Sequence, residues 1–285
     1  MVYRLPLAVR WVVAGKEQDQ VLEVTDVEHV FHLPSASEPT QVRLDPRREV
    51  LGTLEVDKPI GYWLEELKRA PEARARSEAA AALGKEGSAR AVEALAATLA
   101  SDTFWATQAA AARALANIRT PAAKAALLEN AGVKHPKARR AVIWSLGEFR
   151  RDAEVGKVLK AACQKGDKSY LVEGEAGRAL GRLKAPDALP VLMEMTERRS
   201  FAEAVASGAV DGIAESLDPK GYGAVEPLVR YGRPAQLRRA AAVALGKLAE
   251  PAQKKQEAVD TLAELLRDPQ FRVQMGAFDA ASSAR

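Results

Sequence analysis

Residues 141–148 read AVIWSLGE: small residues, then a leucine, then a glycine. The same block recurs as AAAALGK (79–85), AARALAN (111–117), AGRALGR (176–182), AVDGIAE (209–215) and AVALGKL (242–248), with a degenerate FDAASSA at 278–284. Its anchors Leu83, Leu115, Leu146, Leu180, Ile213 and Leu245 stand 32, 31, 34, 33 and 32 residues apart. A fixed period of this size marks a solenoid, in which no unit buries its apolar face alone and stacking buries it collectively.

Each period divides into two helices. The first carries apolar residues at i, i+3, i+4 and i+7: Val92, Leu95, Ala96, Leu99; then Val155, Val158, Leu159, Ala162; then Val259, Leu262, Ala263, Leu266. That spacing puts one stripe on a core. The second helix carries the repeating block, as in Ala176, Ala179, Leu180 and Leu183. Prolines 121, 136, 219, 234, 251 and 269 fall between helices, where proline suits a first turn. Gly84, Gly147, Gly181 and Gly246 follow the anchors, where a helix often stops. The many alanines let neighbouring helices approach closely.

Before residue 59 the period is two. Leu5, Leu7, Val9, Trp11 and Val13 share one parity, the pattern of a strand with one face on a core. A loop at 14–19 leads to a returning strand at 21–27, continued or joined by another at 30–33. Residues 42–44 form a short strand ended by Asp45-Pro46, and 50–56 is the last strand candidate. A module this small buries little apolar surface. The expectation is that the chain was cut from something longer, or that the module leans on the helical segment after it. The domains are read as 1–58, a small β-sandwich module, and 59–285, the solenoid.

The 285 residues are 47% hydrophobic and only 5% aromatic, a core of Ala, Leu and Val. The 42 basic and 38 acidic residues leave +4, too weak to demand nucleic acid. Cys163 alone excludes an internal disulfide framework and a cysteine-rich zinc site. No apolar run approaches a membrane span. These features favour a soluble, cytoplasmic chain without membrane association.

The paired-helix period and the A-x-x-A-L-G-like block resemble HEAT repeats of the short bacterial kind, over residues 60–285. The expected fold class is therefore mainly α: a HEAT-like α-solenoid of about seven helix pairs preceded by a small β-sandwich. The first segment is similar in wording to a junction in another family. Leu5-Pro6-Leu7, Phe31 and Arg43-Leu44-Asp45-Pro46, with a helix after them, resemble the β-sandwich and helical domain in the C-terminal half of zinc aminopeptidases of the membrane-alanyl (gluzincin) family. That resemblance implies a non-catalytic region that caps the catalytic cleft and limits peptide access. Its partners would be the parent chain's catalytic domain and a peptide substrate. The family's H-E-x-x-H and G-x-M-E-N-like motifs are missing. No catalytic, cofactor or metal residues are therefore assigned to this chain, and zinc is expected only in a catalytic domain outside it. The alternative is a free-standing scaffold binding a protein or peptide; a nucleic-acid-binding protein ranks below both.

His29 and His32, three apart on a strand, would point to opposite faces, which disfavours a metal pair. His135 reads as a solvated turn residue and Cys163 as a buried, inert thiol. Trp11 and Trp63 fall on core faces, and Trp105 is the best candidate contact residue. Asp211 and Asp279 take small-residue positions inside the block, an exposed site on the second helix. The basic pairs at 139–140, 150–151, 198–199 and 238–239 read as solvated helix starts and inter-repeat ion pairs rather than a phosphate-binding stripe.

Overall fold

The structure is a computed structural model that describes residues 4–283, so the ends of the expected first and last elements, residues 1–3 and 284–285, lie outside the described residues. It divides into two compact units, one ending at Ala114 and the other beginning at Leu115.

The first unit opens with strands β1 (Leu5–Val13), β2 (Lys16–Val24) and β3 (Gln41–Leu44), hydrogen-bonded in the order β2-β1-β3. Both pairings are antiparallel, with Leu5 opposite Val24 and Val9 opposite Leu44. Ala14 and Gly15, at φ +47° and +76°, form the whole hairpin turn, so the polar stretch expected as a loop is strand from Lys16 on. Val9, Trp11, Val13 and Leu22 form a small core with Leu33, Val42 and Leu44 against it.

Among the described residues the strands form one sheet and not a sandwich. Residues 30–33 and 50–56 pair with nothing, and Val30 and Leu51 are exposed. Neither stretch pairs with the outer edge of β2 or β3. Asp45 ends β3 instead: its carboxylate accepts from Glu49 N at 2.8 Å and Val50 N at 3.0 Å, turning the chain away from the sheet.

Fourteen α-helices come next among the described residues, succeeding one another as seven pairs. They are α1 (Ile60–Arg69) and α2 (Ala73–Glu86), α3 (Ala89–Ser101) and α4 (Trp105–Ile118), α5 (Pro121–Glu129) and α6 (Pro136–Leu146), and α7 (Ala153–Lys165) and α8 (Tyr170–Arg182). The rest are α9 (Ala188–Thr196) and α10 (Ala204–Ser216), α11 (Gly221–Val225) and α12 (Ala235–Leu248), and α13 (Lys255–Leu265) and α14 (Phe271–Ser283). The anchors Leu83, Leu115, Leu146, Leu180, Ile213 and Leu245 are all fully buried. Pro121 and Pro136 open α5 and α6 as expected, with Thr120 and His135 accepting N-cap bonds. The other four expected prolines lie in turns or at a cap rather than in a first turn.

Two expectations need correcting. The anchor glycines lie near helix ends as expected, but only Gly147 stops one, as the C-cap of α6 with ordinary right-handed backbone, while Gly84, Gly181 and Gly246 lie inside the last turns of α2, α8 and α12. They are contact points instead. A Cβ at Gly147 would sit 2.9 Å from Ala179 Cα, and one at Gly181 would collide with the Gly212 carbonyl oxygen. Only a hydrogen at these positions lets the next second helix come so near. In α13 the buried residues are Ala258, Leu262 and Leu265, whereas Val259 and Leu266 are exposed. Its core face is rotated by about one residue from the expected stripe, because Leu265 rather than Leu266 meets the interior.

One arginine recurs at the fourth residue of a second helix: Arg76 in α2, Arg139 in α6, Arg238 in α12. Each binds an aspartate just before the next second helix, Asp102, Asp167 and Asp268, 26, 28 and 30 residues on. Each also donates to backbone carbonyls, as Arg139 Nη1 does to Val133 and Lys134. The aspartates in turn accept from Phe104 N, Ser169 N and Gln270 N. In α8 the polarity is exchanged: Glu173 stands fourth and Arg198 reaches it at 2.8 Å.

Candidate interaction surface

No three His, Cys, Asp or Glu side chains among the described residues are grouped to hold a metal ion. His29 and His32 lie on an exposed irregular stretch, not a strand, and the His29 ring rests on Phe31 at 4.4 Å. His135 is exposed and accepts from Lys137 N through Nδ1. Cys163 is fully buried in α7, and burial pushes its thiol up to about 12, far from a reactive thiolate. No described helix is long and apolar enough to cross a membrane.

In the unit ending at Ala114, charges dock the sheet on α1 and α2. Arg43, from the sheet face opposite the small core, bonds Glu72 and lies 3.9 Å from Glu66. Lys58 Nζ donates to Glu66 Oε2 at 2.5 Å and to Val42 O at 3.0 Å, and sits 3.7 Å over the Trp63 ring. Burial pushes the Glu66 carboxyl up and the Lys58 ammonium down, so desolvation outweighs their mutual attraction. Trp105 of the same unit opens α4, half-buried, with Phe104 at 5.7 Å.

The unit beginning at Leu115 carries a different surface. Two residues before each anchor, the second helix points to solvent. There the block varies: Trp144 in α6, Arg178 in α8, Asp211 in α10, Val243 in α12. The register of the repeats carried this signal, because the position two before the anchor is the variable one, holding Ala81, Arg113, Trp144, Arg178, Asp211 and Val243.

These residues and the turn beyond them are linked from helix to helix. Arg178 Nε donates to Asp211 Oδ2 at 2.8 Å. Arg182 lies 3.6 Å from Glu148 and its guanidinium covers the Trp144 ring at 5.2 Å. Lys247 donates to Glu215 at 2.7 Å, and Arg119 donates to Glu148 at 3.2 Å. Glu175 lies at the centre, 3.6 Å from Arg178 and 3.5 Å from Arg182. It is buried, and desolvation pushes its carboxyl up despite both arginines. Asp211 and Asp279 are half-buried partners of Arg178 and Arg239 rather than freely exposed.

Half of the basic-pair arginines are consumed. Arg139, Arg198, Arg238 and Arg239 each face a carboxylate, while Arg140, Arg150, Arg151 and Arg199 are exposed. A phosphate-binding stripe needs unpaired cations in a row. What the surface offers is a half-buried tryptophan beneath an arginine, within a net of balanced charge. That chemistry is enriched where proteins hold one another.

The family described as HEAT repeats matches residues 61–137 and 133–214, and PBS lyase HEAT-like repeat matches 237–268. Among curated proteins none matches this sequence. Among solved structures, the complex of CpcE and CpcF of phycocyanin lyase from Nostoc is 20% identical, covering 84% of this chain and 99% of that one, at TM-score 0.48. Human deoxyhypusine hydroxylase in complex with glycerol is 18% identical, covering 80% and 85%, at TM-score 0.38. Kap121p is 14% identical, covering 78% and 28%, at TM-score 0.41.

Proposed function

Because this chain belongs to the HEAT-repeat family, we propose that it is a scaffold that binds a protein or peptide partner on the second-helix face of α6, α8 and α10, centred on Trp144. The observation that carries this reading is the Trp144–Arg182 stack inside a net of ion pairs. The indole offers a large rigid contact with little entropy to lose, and the guanidinium keeps five donors in a fixed plane. Neighbouring Glu148, Glu175 and Asp211 hold the arginines in place before a partner arrives, so less ordering is lost on binding. The pairing of the arginines with carboxylates speaks against a nucleic-acid role, and the reading needs no bond-making chemistry from the chain.

The test is a selection of displayed random peptides on the immobilised chain and on Trp144→Ala. Peptides retained by the first and lost at least tenfold by the second are the expected result. Peptides held equally by both, none at all, or steeply salt-dependent binding of duplex DNA instead, would overturn it.

A second reading keeps the aminopeptidase accessory role. It is favoured by one local observation, the Arg43-Leu44-Asp45-Pro46 turn that leads the sheet into α1. It requires a native product several hundred residues longer than this chain. An antibody against this segment that detects only a band near 30.6 kDa would remove it.

A further inference from the structure

We propose that the segments leading into α8, α10 and α12, residues 166–170, 197–203 and 230–234, form an edge that binds an acidic, proline-rich peptide in polyproline II conformation. All three belong to the unit beginning at Leu115. Each carries an exposed cation followed closely by an exposed ring: Lys168-Ser169-Tyr170, Arg199-Ser200-Phe201 and Arg230-Tyr231. The rings are 47%, 85% and 81% exposed. The turns at the opposite helix ends, residues 183–187, 217–220 and 249–254, contain no aromatic residue. The edge is also remote from the Trp144 face. Tyr170 opens α8 and Arg182 closes it, about 18 Å apart at 1.5 Å per residue.

Polar contacts make these segments neighbours. Arg198 Nη1 donates to Cys163 O at the end of α7 at 2.6 Å and to Glu173 in the first turn of α8 at 2.8 Å. Arg233 lies 3.8 Å from Glu197. The rings therefore follow one another, one per repeat. Arg238 lies 5.6 Å from the Tyr231 ring and steadies it from one side. Beside Phe201 the backbone of Ala202 and Glu203 is left-handed, at φ +52° and +55°. Strain of that kind, in residues other than glycine, is held where it presents a side chain for use.

Charge selects an acidic occupant. The three segments hold five basic and three acidic residues, whereas the opposite turns hold three of each. Of the acids, Asp167 is gripped by Arg139 and Glu197 meets Arg233, which leaves Glu203. Lys168, Arg199 and Arg230 form no ion pair among the described residues.

Spacing selects a peptide. Neighbouring helices pack about 8–10 Å apart. One turn of polyproline II is three residues and rises about 9.3 Å. Every third residue of such a peptide therefore meets one ring, on which a proline packs, and each turn brings one carboxylate to one cation. A nucleic-acid strand carries a phosphate about every 3.4 Å, nearly three for each unpaired cation on this edge. The charge spacing thus fits the peptide better.

Fluorescence anisotropy of a labelled peptide of four Pro-Glu-Ala repeats, titrated with the full chain, tests this. Wild type should bind it at least tenfold more tightly than a peptide of four Gly-Glu-Ala repeats, which has the same charge without the polyproline preference. Phe201→Ala and Arg199→Glu should each weaken binding at least fivefold with an unchanged circular dichroism spectrum. Lys220→Glu makes the same change of charge on an exposed residue of an opposite turn and should leave binding within twofold. If Phe201→Ala fails to fold, Tyr231→Ala serves in its place. No binding of the proline peptide up to about 1 mM, or equal binding of the two peptides, overturns the proposal. So does a loss with Lys220→Glu as large as with Arg199→Glu, or tighter binding of a labelled oligothymidylate of about 12 nucleotides.

Discussion

Arg139 grips Asp167 through two parallel bonds, Nε to Oδ2 at 2.7 Å and Nη2 to Oδ1 at 2.8 Å, across 28 residues of chain. The same guanidinium holds the carbonyls of Val133 and Lys134, and the same carboxylate caps Ser169. One pair therefore ties the turn before α6 to the turn before α8. It sets the spacing of two repeats with groups that would otherwise be left without partners at helix ends.

Removing either partner leaves the other charge and its backbone groups partly buried and unmatched. Arg139→Ala and Asp167→Ala should each lower stability by about 2–4 kcal/mol. Together they should lose much less than the sum, which a double-mutant cycle in urea at neutral pH will show. A fully additive cycle would mean that the pair contributes nothing as a pair.

The same contact has a pH signature. The bond from Arg139 holds the Asp167 carboxyl below the usual carboxylate range. A group depressed in the fold stabilises above its unfolded pKa of about 3.9, and that stability fades as pH falls through the lower folded value. Wild type should therefore lose its advantage over Asp167→Asn as acid is added from about pH 5 to about pH 2. Urea midpoints of the two proteins that stay equally far apart over that range would contradict this.

Close helix approach gives the sharpest contrast between substitutions. Gly181→Ala drives a methyl into the Gly212 carbonyl oxygen and should cost at least about 3 kcal/mol or prevent folding. Gly223→Ala, with nothing within 4 Å of its new carbon, should be neutral or stabilising by up to about 1 kcal/mol. Thermal midpoints measured side by side decide the matter; equal shifts would sink the steric argument.

The Lys58–Glu66 pair is deeply desolvated, and each group is shifted toward its neutral form. Lys58→Met or Glu66→Leu alone should destabilise by about 3 kcal/mol, since each strands a buried charge. Lys58→Met with Glu66→Leu should recover most of that loss. If the double variant is as unstable as the worse single one, the pair is not mutually compensating.

Cys163 should ignore Ellman's reagent at about pH 8 in the native state and react fully in denaturant, because it is buried and its thiol is held protonated. Rapid labelling of folded protein would place the thiol at the surface.

Much of this was legible along the chain. The anchors from Leu83 to Leu245 revealed the period, and Val92, Leu95 and Leu99 marked the buried stripe of α3. Trp144 was legible too, once the block was read by register instead of by composition. The expected strands at 30–33 and 50–56 failed because a strand exists only with a neighbour to bond, and alternation does not supply one. The glycines were misread because a glycine that ends a helix and one that admits another helix look alike in one dimension.

The division follows from range. Helix periodicity, caps and the repeat length are set by residues within a turn or two of each other, so the amino-acid order alone determined seven helix pairs and inward faces such as those of α3 and α7, though not that of α13. Which arginine meets which carboxylate, 26 to 40 residues away, depends on how far each repeat rises and rotates on the last. That is settled only when side chains pack at van der Waals distance. The pairing of Arg139, Arg198, Arg238 and Arg239 with carboxylates and the single sheet were therefore decided by the tertiary structure.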